Sequence, residues 1–558
     1  MEYSKVYKGG IEMASELTPL DQIKECIKDR SNFLLSGGAG CGKTHTLKEA
    51  LEYIFTDSEL KQNSVACITF TNVAADEVRS RIQNPNLYVG TIHEFLWSCI
   101  KQYQKDLKLS LIELIEKEKE KEKTGIKYEG DENLTVDYFA DKRIEYRQYK
   151  KLEEGIVSHN DVLRLANFMF DKYPFLCRII KDKFPFIFID EYQDTDKRVV
   201  EIFLECLSID VDKSGNKTTK KVTVGMFGDA MQSIYAYGVG NINSYVESGV
   251  IKEIPKMDNY RCSTTVIDLL NKLRFDDIKQ TASGNNKNII GSAKFLYSKT
   301  DLALSAVKKH EALASWNFED SENTKELYLT HRLIAGKAGY DRIFAEYGDA
   351  DRLLGDNKDG LMKHLFSINE LIDLYLSKKY NEFIRKCSFR INKLDDKKIL
   401  KANIKSLLIA QNEKTIGELI TLANDLGIYP YSDSLREFIT ENESIYSKIC
   451  QIPASEAKVL YDYEQDYLPY STQHNIKGTE FRNVLVVLDN GGWNQYNFGD
   501  LFGERPDKQH IIERTGKIFY VCCSRTIENL VVFFPEPSEI VLNKAREWFG
   551  SENVLTIS

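Results

Sequence analysis

Short unbroken apolar runs recur along the chain, separated by segments in which apolar residues return every three or four positions. FLLS at 33–36, VACITF at 65–70, FIFID at 186–190 and VTVGMFGD at 222–229 show no inside–outside alternation. Strands buried on both faces read this way, so the four runs predict a parallel sheet covered by helices on each side. Similar runs return as YSTQH and NVLVVLDN within 470–490, and as NLVVFF at 529–534. Between about 100 and 160 the character changes. LIELIEKEKEKEKTGIKYEGDE is heavily charged and predicts a solvated helix followed by a loop. A second helical stretch, rich in Lys, Leu and Ile, runs from about 341 to 460 and includes INELIDLYLSKKYNEFIRK. The pattern is α/β, with two cores in tandem that are each interrupted by a mostly helical insert. Residues 1–99 and 160–252 form the expected first core, with 100–159 as its insert. Residues 253–340 and 461–558 form the second, with 341–460 as its insert. No internal repeat and no low-complexity tail is visible.

Composition narrows the class. The 558 residues are 42% hydrophobic and 28% charged, which suits a globular protein with ample core and about three to five domains or subdomains. The net charge of −9 gives no overall attraction to nucleic acid, although a local basic groove suffices for that. The 11 cysteines include no C-x-x-C pair, so neither a zinc ribbon nor a disulfide framework is expected. The first residues, MEYSKVYKGGIEMASEL, lack an apolar signal core, and no apolar stretch is long enough to cross a membrane. A reduced, cytoplasmic protein without a membrane partner is the expectation.

Two constellations carry chemistry. SGGAGCGKTHTL spans 36–47, and its Gly37-x4-Gly42-Lys43-Thr44 spacing is that of a phosphate-binding loop. Small residues over Gly37, Gly38, Ala39, Gly40, Cys41 and Gly42 let backbone N–H groups converge on an anion, and the following helix adds its positive end. Lys43 then reaches the β- and γ-phosphates, and the Thr44 hydroxyl ligates Mg2+. A chance glycine-rich turn fits the spacing alone. The apolar run SNFLLS before the loop and the helical THTLKEALEYIF after it favour the reading as a nucleoside-triphosphate site. In FIFIDEYQDTD, Asp190 and Glu191 end a buried strand, where such sheets place carboxylates beside a phosphate loop. Asp190 suits a magnesium ligand, and Glu191 suits a base or orienting group for the attacking water.

DEYQDTD at 190–196 with GDAMQSIYAY at 228–237 resembles the UvrD/Rep/PcrA-type helicases of superfamily 1. Further motifs of that family follow in order from about Thr18 to Thr526. LTPLDQ (17–22) resembles the Q motif, with Gln22 on the adenine edge. ITFTNVAADEVRSRI (68–82) supplies Phe70 and Asn72, and GTIHEF (90–95) supplies Thr91 and His93, all facing nucleic acid. DNYRCSTTV (258–266) supplies Tyr260, to stack on adenine, and Arg261. YSTQHNIKGTEFRNVLVV (470–487) supplies His474 for DNA, Lys477, Gly478, and Glu480 for the ribose. KIFYVCCSRT (517–526) supplies Arg525. The resemblance implies RecA-like cores and catalysis by Lys43, Asp190, Glu191, the γ-phosphate sensor Gln232, and Arg261 and Arg525 reaching from the second core as arginine fingers. It also implies base stacking by Phe70, Tyr235 and Tyr237, which suits a sequence-tolerant grip.

The function so implied is an ATP- and Mg2+-dependent translocase or helicase on single-stranded DNA and its duplex junctions, moving 3′→5′. The sequence also departs from the family pattern. Tyr237 stands where Trp is usual, Ala230 and Met231 replace polar positions, Cys522 and Cys523 read as packed thiols, and the inserts are short. No nuclease motif follows Trp548. A DNA-stimulated ATPase that licenses a separately encoded nuclease without unwinding therefore stays open, as does RNA as a substrate.

Overall fold

The computed structural model describes residues 17–119, 125–147, 149–208, 222–235, 238–300 and 304–557. The chain divides into two compact units. One runs to Arg261 and takes in Arg274–Asn286, and the other holds Cys262–Leu273 and continues from Lys287. Among the described residues, no helix is long and apolar enough to cross a membrane.

The first unit is built on a six-stranded sheet in the order Leu87–Thr91, Val65–Thr69, Phe186–Asp190, Thr223–Gly228, Phe33–Gly37, Lys252–Lys256. Every pairing in it is parallel. The central strands are buried throughout, as their unbroken apolar runs require. Phe33, Phe188 and Phe227 meet edge to face, with ring centroids 5.6 to 5.8 Å apart. Gly225 makes room for them, since a Cβ there would lie 2.3 Å from the Phe33 ring. Register pairs Ser36 with Gly228 and Asp190 with Phe227. The phosphate loop, the acidic pair and the GDAMQ segment thus leave the sheet at one edge.

Two expectations change here. The charged helix, Gln104–Lys119, is solvated on one face only, because Leu107, Leu111, Leu114 and Ile115 turn into the core. The boundary placed at 252/253 also moves. Lys252–Lys256 is the edge strand of the first sheet, and the chain beyond it stays with that unit through Arg261. A short parallel pairing of Asp258–Asn259 with Thr281–Ala282 recruits residues 274–286 as well.

The second unit carries another all-parallel six-stranded sheet, in the order Tyr470–Thr472, Thr324–Tyr328, Phe481–Val487, Thr526–Pro535, Ser292–Ser298, Val554–Ile557. The strand TKELY is wholly buried despite its charges. Lys325 pairs with Asp466 at 2.6 Å, and Lys308 reaches Glu326 at 2.5 Å. Residues 341–460 form a helical bundle around Gly360–Leu376 and Leu394–Glu413, and its core runs on into that of the sheet.

Candidate nucleotide site and strand groove

Strand Phe33–Gly37 delivers the phosphate loop to the sheet edge, and helix Lys43–Thr56 leaves it. Gly40 and Gly42 adopt φ of +72° and +80°, the left-handed conformation that glycine takes without strain. The buried Lys43 ammonium donates to the Gly37 and Gly38 carbonyls at 3.0 and 3.2 Å, so it lies inside the curve of the loop. Burial opposes its charge, but Cys41, Glu191, Asp229 and Asp190 around it outweigh burial and hold its pKa above the ordinary lysine value. Thr44 donates to Asp190 Oδ2 at 3.4 Å, which brings a hydroxyl and a carboxylate together at the strand end. Burial, then the neighbouring Glu191, pushes the Asp190 carboxyl well up, against the opposing pull of Lys43. An ammonium, a hydroxyl and a carboxylate around a left-handed glycine turn are the donor set that a triphosphate and Mg2+ require, so these residues fit both.

Glu191 sits at φ +50°, ψ +46°, an uncommon conformation for a residue with a side chain. Its carboxylate accepts from Gln193 Nε2 at 2.5 Å, and Gln193 Oε1 in turn accepts from the Asp229 N–H at 3.1 Å. Asp229 accepts from Gln232 Nε2 at 2.9 Å and is paired with the fully buried Arg274, Nη2 to Oδ1 at 2.9 Å. One hydrogen-bonded chain therefore links the proposed base, the proposed γ-phosphate sensor and a buried ion pair. Gln193 and Arg274 escaped the sequence reading. Gln193 lay in view within DEYQD, whereas Arg274 is far from it along the chain.

The structure places Tyr260 and Arg261 with the first unit, contrary to their expected place in the second core. Tyr260 N–H donates to the Gly40 carbonyl at 2.8 Å, and the Arg261 N–H donates to Asn259 Oδ1 at 2.9 Å. The half-exposed Tyr260 ring lies near Gly42, with Lys256 Nζ 5.9 Å from its centroid. Gln22 stands in the first turn of helix Pro19–Lys28, and its amide donates to the Leu17 carbonyl at 3.2 Å. Arg525 and Glu480 belong to the second unit. Arg525 follows helix Gln509–Cys523 and donates to the Val521 and Thr479 carbonyls at 3.1 and 3.4 Å. Glu480 occupies the turn before strand Phe481–Val487. Cys522 and Cys523 are fully buried thiols, as their packed reading requires.

A cleft of about 1020 Å3 on the first unit gathers Phe70, Asn72, Thr91 and His93. Phe70 stacks on Tyr235 with centroids 5.5 Å apart and planes 25° from parallel. Thr91 caps helix Ile92–Ile100, its hydroxyl accepting from the Glu94 N–H while Glu94 accepts from the Thr91 N–H. The His93 ring lies 4.8 Å from that of His159, and burial, then His159, pulls its pKa down to about 4. His159 is hydrogen-bonded to the Tyr146 hydroxyl, and Arg147 lines the same cleft. These three were missed because the short pairing of Glu145–Tyr146 with Ile156–Val157 brings them together. Among the described residues, the Thr195 hydroxyl, buried in the cleft wall, meets no hydrogen-bond partner. Tyr237 lies outside the described residues. On the second unit, His474 hydrogen-bonds the Tyr496 hydroxyl at 2.9 Å and lies 5.7 Å from the Trp493 ring. The Gly-Gly-Trp run at 491–493 was the available signal for that aromatic loop.

Residues 20–137 and 104–249 match the UvrD/REP helicase N-terminal domain. The match covers less than half of the chain and, with the two parallel sheets and the ordered motifs, supports a UvrD-like protein of helicase superfamily 1. Among individual proteins, it is 27% identical to Gabija protein GajB of Bacillus cereus strain HuB5-5, over 96% of this chain and 97% of that protein. It is 25% identical to Gabija protein GajB of Bacillus cereus strain VD045, over 83% of this chain and 88% of that protein. The ATP-dependent DNA helicase PcrA of Bacillus subtilis strain 168 is 22% identical over 50% of this chain and 41% of that protein.

Proposed function

We propose that the chain is an ATP- and Mg2+-dependent motor on single-stranded DNA, moving 3′→5′ and coupling hydrolysis to strand movement and duplex unwinding. The observation that carries this reading is the short segment from Asp229 to Tyr235. It holds Gln232 at the nucleotide end and Tyr235, stacked on Phe70, at the strand end. In this reading, a movement of Gln232 on nucleotide binding reaches a base-stacking ring three residues away.

In this reading each site residue has a role. Lys43 exchanges its two loop carbonyls for phosphate oxygens as a fixed counter-charge. Thr44 and Asp190 would hold Mg2+, which supplies a Lewis acid toward phosphate oxygens. Glu191, aimed by Gln193, accepts the proton of the attacking water. Tyr260 offers an exposed ring to the adenine. Arg261 and Arg525 are each a candidate source of positive charge for the transition state. Phe70, Tyr235, Tyr237, His93 and Asn72 grip the strand, and His474 with Trp493 is the candidate strand contact of the second unit.

The near end-to-end likeness to Gabija proteins, against a match to under half of PcrA, favours a second reading. In it, the same ATPase is a DNA-dependent switch that licenses a separately encoded nuclease in antiphage defence. Strand displacement on a 3′-tailed duplex, with ATP hydrolysis followed in parallel, separates the two. Displacement in step with hydrolysis supports the motor. Hydrolysis without displacement supports the switch. No DNA-stimulated hydrolysis contradicts both.

A further inference from the structure

The outer side of the phosphate loop is backed by a wall of residues that no role above explains. The Gly37 and Gly38 carbonyls of the loop accept from Lys43, whereas those of Ala39 and Gly40 accept from residues outside the loop, as buried carbonyls need donors. The Ala39 carbonyl receives two, Asn259 Nδ2 at 3.0 Å and Gln280 Nε2 at 3.1 Å. The adjacent Gly40 carbonyl receives the Tyr260 N–H at 2.8 Å. Asn259 is 0% and Gln280 2% exposed, so neither amide has water as an alternative partner. The two side chains also hold each other, Asn259 Nδ2 to Gln280 Oε1 at 3.3 Å, and Gln280 Nε2 donates to the Asp258 carbonyl at 3.1 Å. Contact is close enough to dictate the loop sequence. A Cβ on Gly38 would lie 2.4 Å from the Gln280 amide, and one on Gly40 would lie 2.7 Å from Arg261 Cβ.

We infer that Asn259 and Gln280 are positioning residues for the nucleotide site, and that Asn259 couples the loop to Arg261. The inference rests on the nucleotide reading above. Gln280 bonds the loop, Asn259 and the Asp258 carbonyl, and its link to Arg261 runs through Asn259. Asn259 does two things with one amide, because its nitrogen holds Ala39 while its oxygen receives the Arg261 N–H at 2.9 Å. A loop that is preorganised binds phosphate without first ordering itself, so its donors contribute to affinity although they never touch the ligand. Loss of Gln280 therefore weakens ground-state and transition-state binding alike and raises KM. Loss of Asn259 also frees the Arg261 backbone and lowers kcat.

The test uses the full chain as wild type, Asn259→Ala, Gln280→Ala and Gln280→Met. Met keeps the length and packing of Gln280 but has no donor, and it carries the test if the Ala variant fails to fold. Fluorescent ADP is titrated, the nucleotide-free melting temperature is recorded, and KM and kcat for ATP are measured. Each variant should bind ADP about tenfold more weakly than wild type, as expected for a lost buried hydrogen bond. The Gln280 variants should keep kcat within about threefold, and Asn259→Ala should lose about tenfold or more, since it also releases a group acting in the transition state. Variants that bind ADP like wild type, whatever their melting temperature, overturn the inference. An equal kcat in Asn259→Ala and Gln280→Ala overturns the coupling to Arg261. A wild type that binds no ADP overturns the underlying nucleotide reading instead.

Discussion

Arg274→Ala removes one half of an ion pair that is sealed from water, since the side chains of Arg274 and Asp229 are both 0% exposed. Breaking such a pair leaves a buried charge uncompensated and costs about 3–5 kcal/mol. The first unit has about 270 residues, for which about 1 kcal/mol moves the melting temperature by about 2 °C. Its transition should therefore fall by about 6–10 °C at pH 8. The sign of the pH dependence follows from Asp229. Burial would raise its pKa, but Arg274 and then Lys43 hold it below the ordinary carboxylate value. In wild type its contribution is thus present above the unfolded pKa of about 3.9 and lost as pH falls through the lower folded value. Without Arg274, burial dominates and the folded pKa moves above the unfolded one. The penalty of the variant is then largest at high pH and shrinks as the carboxyl takes up a proton. Calorimetry of the full chain at pH 8 and pH 5 reads both effects, and adding Asp229→Asn should recover at least half of the loss at pH 8. A shift under about 2 °C at pH 8 would refute the reasoning, because it corresponds to only about 1 kcal/mol. So would an equal shift at both pH values.

Glu191→Gln should retain ATP binding and lose turnover by about two orders of magnitude or more, checked by fluorescent-nucleotide titration beside steady-state hydrolysis. Gly40→Ala should lower nucleotide affinity by about tenfold or more in the same titration, since its φ of +72° and the nearby Arg261 Cβ both oppose a side chain. Phe70→Ala should weaken single-strand binding by about tenfold, with an unchanged salt slope and intact DNA-free hydrolysis, because stacking contributes about 1–3 kcal/mol and involves no phosphate. Anisotropy at two salt concentrations reads that effect, and Trp493→Ala should behave in the same way if the loop at 491–493 grips the strand.

What the sequence disclosed and what it hid have physical causes. FIFID and FLLS were legible because a central parallel strand is apolar on both faces. KEIPK was not, because an edge strand buries only Ile254 and carries a proline and exposed charges. TKELY hid for a different reason, as its lysine and glutamate are buried but paired with partners distant in sequence. At the site, Lys43, Thr44, Asp190 and Glu191 lie in contiguous motifs whose spacing fixes their geometry. Arg261 was assigned to the wrong unit because linear order could not reveal that Asp258–Asn259 pairs with Thr281–Ala282 and packs on the loop. The His93–His159 contact and the Arg274–Asp229 pair join residues 66 and 45 positions apart, and no local spacing announces them.

The central claim is that a strand grip and a nucleotide site on this chain are one machine. It is tested most directly by steady-state ATP hydrolysis of the full chain in Mg2+, with and without a long oligo(dT), beside Lys43→Ala as the control. The account predicts stimulation of about tenfold or more by the single strand and no hydrolysis by the variant with or without DNA. Equal rates with and without the strand, across oligonucleotide lengths and salt concentrations, would contradict it.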